Sequence, residues 1–282
     1  EITLNWRDQL TVADKPFTYG VFANLSDYTG VVTKFSNPNG LISDWYVGKK
    51  MGEIWGYTTD HIMIDAAEAE QMNQSGAQKQ FGSNWSRGDM KYKDLNGDGF
   101  VNYGKNTLED PGDLSIIGNN TPRYSYGFGF NAEWNGFDIS ALFSGIGKRD
   151  MWLSGILTWG LGQGQWSSNV WENTLDCWRE DGSNLDPYWP RFYLGNTGKN
   201  LSTQTKYLNN AAYCRFKNLQ LGYTIPRPLL QKLSIDKLRL YFSGENLFTF
   251  SKINENYDPE APGAGVYPLS KSLSVGLSIT FK

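Results

Sequence analysis

Near the end of the chain, apolar and polar positions change places at every residue. Leu273, Val275, Leu277, Ile279 and Phe281 fall on one face; Ser272, Ser274, Gly276, Ser278 and Thr280 fall on the other. A period of two marks a strand whose two sides meet different surroundings. Six further segments repeat the pattern. Residues 1–8 align Ile2, Leu4 and Trp6, and residues 16–27 align Phe17, Tyr19, Val21, Ala23 and Leu25. Residues 122–134 set Tyr124, Tyr126, Phe128, Phe130, Ala132 and Trp134 against Ser125, Gly127, Gly129, Asn131 and Glu133. Segments 137–148 (Phe137, Ile139, Ala141, Phe143), 210–225 (Leu219, Leu221, Tyr223, Ile225) and 237–249 (Leu238, Leu240, Phe242) complete the set. Most exceed the about 5–6 residues of an ordinary strand.

The connections alternate between short (9–15, 135–136, 226–236) and long (28–121, 149–209, 250–267). In an up-and-down sheet this puts every long loop at one end. Loops beyond roughly 12–15 residues are uncommon in compact domains and usually functional. Outer-membrane barrels sort their loops in this way, with tight periplasmic turns and long extracellular loops. Asn135-Gly136 is a strong hairpin signal. The predicted fold is therefore all-β: an antiparallel transmembrane β-barrel with extracellular loops at 28–121, 149–209 and 250–267. Seven strands cannot close such a wall, because an open edge in lipid leaves backbone groups unpaired. The expectation is thus one portion of a larger barrel. A short helix is predicted in the first loop, with Asp65 as N-cap, Glu68 three residues on and Gly76 as stop.

Composition narrows the reading. With 26 basic and 29 acidic residues the net charge is −3, so no nucleic-acid footprint is present. Mean hydropathy is −0.49, and no run reaches the roughly 18 apolar residues of a membrane helix. A membrane role therefore requires strands. The 11 Trp and 16 Tyr are many, and two cysteines, Cys177 and Cys214, make no disulfide framework. Glu1 to Trp6 read as strand rather than as a leader, so the expectation is a processed chain or a piece of a longer one.

One motif carries metal chemistry. In "YKDLNGDGFVN", Asp94, Asn96 and Asp98 stand at positions 1, 3 and 5 of an EF-hand-like loop, Gly99 at 6, and the Phe100 carbonyl at 7. Calcium wants hard oxygen donors projected from alternate residues around a tight bend. Position 12 holds Lys105 instead of an acid, leaving Asp110 or Asp113 to close the sphere. The alternative is a polar turn with no ion.

The loop 149–209 is crowded with tryptophan. Trp152, Trp159, Trp166, Trp171 and Trp189 are candidates to grip an amphipathic cargo or a partner protein. A long loop also needs a core of its own, and the same rings would supply one. Asn131, Glu133, Arg239 and Glu245 are candidate lumen-facing residues. His61 is the single histidine; no Ser/His/Asp set, CxxC or phosphate loop is present, so no enzyme is expected.

Several stretches resemble a known family. "NTPRYSYGFGFNAEWNGFDISALFSGIGKRD", "YCRFKNLQLGYTIP", "LRLYFSGENLFTFSK", "YDPE" and "YKDLNGDG…IIGN" are similar, in order, to the C-terminal barrel of SusC/RagA-type TonB-dependent transporters. The resemblance implies the C-terminal portion of a 22-stranded outer-membrane barrel from Bacteroidota, with the plug domain absent from this stretch. It implies structural calcium, with Asp113 as the final acidic ligand beside Asp94, Asn96, Asp98 and Phe100. An insertion between Asn102 and Asp113 departs from the family pattern. The implied function is TonB-dependent import of oligosaccharide or peptide nutrients. Implied partners are a SusD-like surface lipoprotein acting as a lid, with which "DGSNLDPYWPR" is associated, the TonB complex and outer-membrane lipid. The competing reading is a secreted calcium-binding β-sandwich that binds glycans through surface tryptophans.

Overall fold

The computed structural model describes residues 1–159, 170–184, 186–193, 197–231, 234–253, 257–262, 266–267 and 269–282. In chain order the strands are β1 (Ile2–Val12), β2 (Lys15–Ser26), β3 (Glu53–Tyr57), β4 (Thr59–Ile62), β5 (Met90–Tyr92), β6 (Leu114–Asn119) and β7 (Arg123–Trp134). There follow β8 (Phe137–Lys148), β9 (Asp150–Trp152), β10 (Leu208–Asn210), β11 (Tyr213–Thr224), β12 (Ile235–Ser251) and β13 (Ser272–Phe281). Seven of them form one sheet in the order β1-β2-β7-β8-β11-β12-β13. Every neighbouring pair is antiparallel. These are the seven alternating segments, paired in chain order, and the sheet is open.

Register keeps the two faces separate. Leu4, Ala23, Phe128, Phe143, Phe216 and Phe248 follow one another across six strands. Their phenylalanines stack as a ladder: ring centroids are 4.9 Å apart for Phe128–Phe143, 4.4 Å for Phe143–Phe216 and 5.2 Å for Phe216–Phe248. On the opposite face Gly20, Asn131, Ser140, Gln220, Ser243 and Ser274 make a polar row. A bulge at Lys217 lets Phe216 and Leu219 share the apolar face although they are three residues apart. Without that extra residue the upper half of β11 would present its polar side outward.

Among the described residues nothing covers the apolar face. Leu277 is 54 % and Phe128 43 % exposed, and Leu4, Trp6, Leu240, Val275 and Phe281 are exposed as well. Buried apolar residues gather instead in the loops, around Tyr57, Ile62, Met90, Tyr92, Val101, Trp159, Trp189 and Tyr207. Among the described residues no helix is long and apolar enough to cross a membrane.

Local chemistry fixes the turns. Asn135 and Gly136 both adopt positive φ (49° and 86°), the I′ geometry that suits the twist of a hairpin. The link after β1 is shorter than the pattern predicts: β1 runs on to Val12, and Ala13 and Asp14, at φ 49° and 58°, make the turn. Helix α1 (Ala66–Ser75) starts and stops as expected. Asp65 accepts from the Ala67 amide at 2.9 Å, and Gly76 closes the helix at φ 64°. Glu68 serves another purpose, accepting from Lys91 at 2.7 Å and meeting His61 Nε2 at 2.9 Å.

Candidate functional site: the loop platform and the polar wall

All three long connections leave the same end of the sheet, and two of them fold together there. In the aspartate turn, Asp94 accepts from the amides of Gly97 (2.6 Å) and Gly99 (2.8 Å). Asn96 Oδ1 accepts from the Asp98 amide at 2.9 Å, and Asp98 Oδ1 from the Phe100 amide at 2.8 Å. Gly97 and Gly99, at φ 77° and 86°, bend the chain where a side chain would be strained. Asp94, Asn96, Asp98 and Phe100 are exposed. Asp113 is buried and ties the turn shut, accepting from Leu95 N and Asn102 N at 2.7 Å each. The oxygen donors match a hard cation in kind. Among the described residues no three acidic, histidine or cysteine side chains converge as a metal cluster.

The tryptophans are divided by burial. Trp159 and Trp189 are 3 % and 2 % exposed and pack edge-on at 5.2 Å. Trp152 lies half-buried against Trp159 at 5.4 Å. Together with Tyr207 they form the common core of the first two loops, so these three rings hold the platform together. Trp171 lies at the surface. Trp166 falls outside the described residues.

A buried polar network, without a signal in the sequence pattern, crosses the same junction. Lys199 Nζ meets Asp89 Oδ2 at 2.7 Å with side chains 2 % and 0 % exposed. Lys199 also donates to the Asn84 carbonyl at 2.9 Å and lies 4.5 Å from the Tyr193 ring centroid. Asp89 accepts from Ser86 N (2.9 Å), Tyr193 OH (3.1 Å) and Asn200 Nδ2 (3.0 Å). The Gln78 amide stands in for a strand, donating to the Met90 carbonyl at 3.0 Å and accepting from Tyr92 N at 2.7 Å. Every one of these groups finds partners, as burial demands. Tyr57, in the adjoining core, has its hydroxyl pKa pushed up to about 12 by burial, with the Asp113 and Tyr103 charges adding to it.

Below the platform, Asn131, Glu133, Arg239 and Glu245 share the polar face by register. Arg239 Nε donates to Asp138 at 2.9 Å. The pair reaches across β11 because Gly222 leaves the gap; a Cβ there would sit 2.4 Å from both Arg239 Nη2 and Asp138 Oδ1. Asn131, Glu133, Asp138, Gln220, Lys237 and Arg239 line a recess of about 620 Å³. Such a surface suits water and polar solutes.

An uncovered apolar face, a polar face behind it and loops gathered at one end describe a stretch of barrel wall. The solved "RagAB peptide transporter" superposes on 98 % of this chain with a TM-score of 0.69 at 20 % identity. The chain has the fold of a SusC/RagA-type transporter wall. The RagAB peptide importer in its open-open state superposes on 99 % of the chain, with a TM-score of 0.65 and 22 % identity. In sequence, the chain is 26 % identical over 205 residues to TonB-dependent receptor P3 of Formosa agariphila, covering 67 % of this chain and 19 % of that protein. TonB-dependent receptor P39 of the same organism is 24 % identical over 323 residues, covering 97 % of this chain and 30 % of the relative. No family model matches. The chain spans less than a third of the length of these relatives and solved structures. The motif-based recognition of a SusC/RagA-type barrel is thus supported by sequence and by fold.

Proposed function

We propose that the chain is part of the outer-membrane wall of a SusC/RagA-type, TonB-dependent importer. It takes up oligosaccharide or peptide nutrients with a SusD-like surface lipoprotein as its lid. The observation that carries this reading is the continuous uncovered apolar face, with Leu277 and Phe128 open, behind which lies a polar row on the same strands. A wall between lipid and a watery lumen needs both. The secreted sandwich would need a second sheet on the apolar face, and none packs there among the described residues.

In this reading the loop platform is extracellular and meets the lipoprotein. The TonB complex acts through a plug carried elsewhere in the whole protein. A calcium ion at the aspartate turn would be held by Asp94, Asn96, Asp98, the Phe100 carbonyl and Asp113, and its contribution would be structural, stiffening the bend. Among the described tryptophans of the second loop, Trp171 is the one most open to a partner.

The full-length transporter, extracted in detergent from its own host, should co-elute with a surface lipoprotein, and nutrient uptake should stop when TonB is deleted. Uptake that continues at the same rate without TonB contradicts the proposal.

A further inference from the structure

The third long connection folds back onto the wall through charge. Arg215 and Lys217 stand near the loop end of β11, with Arg215 on the polar face, where it pairs with Ser144 and Thr249. Two cations so close on one strand repel unless anions meet them. The segment 257–262, which carries "YDPE", brings those anions. Arg215 Nη2 meets Asp258 Oδ1 at 2.6 Å, with side chains 4 % and 8 % exposed. Lys217 Nζ meets Glu260 Oε2 at 2.7 Å. Asp258 also accepts from the Glu260 amide (2.9 Å) and from Leu269 N (3.2 Å), which folds the strap into a compact carboxylate-bearing turn. The Tyr257 and Thr158 hydroxyls hydrogen-bond, joining the strap to the second loop.

The fit is incomplete at one atom. Arg215 Nη1 is buried and makes no hydrogen bond; Glu260 Oε2 lies 3.4 Å from it. A guanidinium is built to grip a carboxylate with two parallel N–H bonds. Here Asp258 takes one terminal nitrogen, Thr249 takes Nε at 2.8 Å, and Nη1 faces a carboxylate beyond good bonding distance. A free carboxylate, unconstrained by a strap, could approach this fork more closely.

We propose that Arg215 and Lys217 form a cationic binding site on the polar wall for carboxylate-bearing cargo, masked in this conformation by the chain's own Asp258 and Glu260. The strap acts as a stand-in ligand: cargo carboxylates displace it, and the Tyr257–Thr158 link passes the displacement to the loop platform. The inference rests on the polar face lining the transport path. Its test reads binding alone, so it can fail while that reading stands.

The experiment uses the full-length transporter in detergent with fluorescein-labelled hexaglutamate as probe, followed by anisotropy at low salt. D258N/E260Q removes the internal anions and should tighten binding at least tenfold over the wild type. Adding R215Q/K217Q to that variant should abolish the gain. Y257F, which loosens the strap without changing any charge, should give a smaller gain of the same sign. Heat-modifiable migration on a gel verifies that each barrel has folded. Unchanged affinity in both D258N/E260Q and Y257F, or a gain that survives R215Q/K217Q, overturns the proposal.

Discussion

Lys199 illustrates how much of the platform rests on single side chains. It is a lysine with almost no exposure, facing Asp89 and two aromatic rings. Removing one partner of a buried pair leaves the other charge uncompensated, at a cost of about 3–5 kcal/mol. Lys199→Met should therefore loosen the platform selectively, and hydrogen exchange in β4 and β5 should accelerate while β7 and β8 stay protected. Uniform protection across both regions would show that the pair carries no such weight. Tyr57 makes a pH-dependent contribution. Its folded-state pKa is raised from 10.0 to about 12, so the neutral ring stabilises the platform below pH 10 and that stability drains away as pH rises toward 12. Tyr57→Phe should flatten the alkaline limb of platform opening, followed by limited proteolysis between pH 9 and 12. At this scale the sequence was only half legible. The aspartate turn was readable because its spacing encodes its own Asx bonds. Asp89, Lys199 and Gln78 gave no signal, because their partners are not adjacent in sequence and isolated polar residues in a loop look like solvated surface. The tryptophans were visible as a cluster, but whether a ring faces cargo or core depends on what folds over it. Trp159 and Trp189 face the core.

At the scale of elements, alternation located the seven wall strands to within about four residues at their ends, because a strand with two unlike sides writes its geometry into composition. Short elements escaped. The three-residue strands β5, β9 and β10 hold less than two periods and pair only because the loops are already folded. The Lys217 bulge was hidden for a related reason, since it interrupts the very periodicity by which strands are found. Glycines set how closely strands approach. Gly145 leaves space for the Tyr126 ring, whose hydroxyl donates to the Tyr213 carbonyl at 3.0 Å across β8. A Cβ at this position would sit 2.1 Å from that carbonyl oxygen, a backbone atom with no freedom to rotate aside. Gly145→Val should cost about 1–3 kcal/mol by overpacking and lower the temperature at which the full barrel loses its heat-modifiable migration. An unchanged transition would mean that β8 and β11 can separate locally at little expense.

At the scale of the whole chain, the proposed function makes the sheet a wall between two solvents. Ordinary domains bury the apolar side of a sheet under another layer. Here the apolar core belongs to the loops, and the sheet leaves its own apolar side open, from Ile2 on β1 to Phe281 on β13. That inversion follows once lipid is the outer solvent and water the inner one. The length of the strands, the sorting of the loops and the glycine- and serine-rich polar side are then consequences of one arrangement. The open edges of β1 and β13 await the remaining strands of the wall, since backbone groups facing lipid must all be paired. The most direct measurement is a nitroxide scan along residues 273 to 280 in the full-length transporter reconstituted into bilayers, reading collisions with oxygen and with a water-soluble nickel chelate. The account predicts oxygen maxima at 273, 275, 277 and 279 and nickel maxima at 274, 276, 278 and 280. Nickel maxima at the odd positions, or no alternation at all, would contradict it.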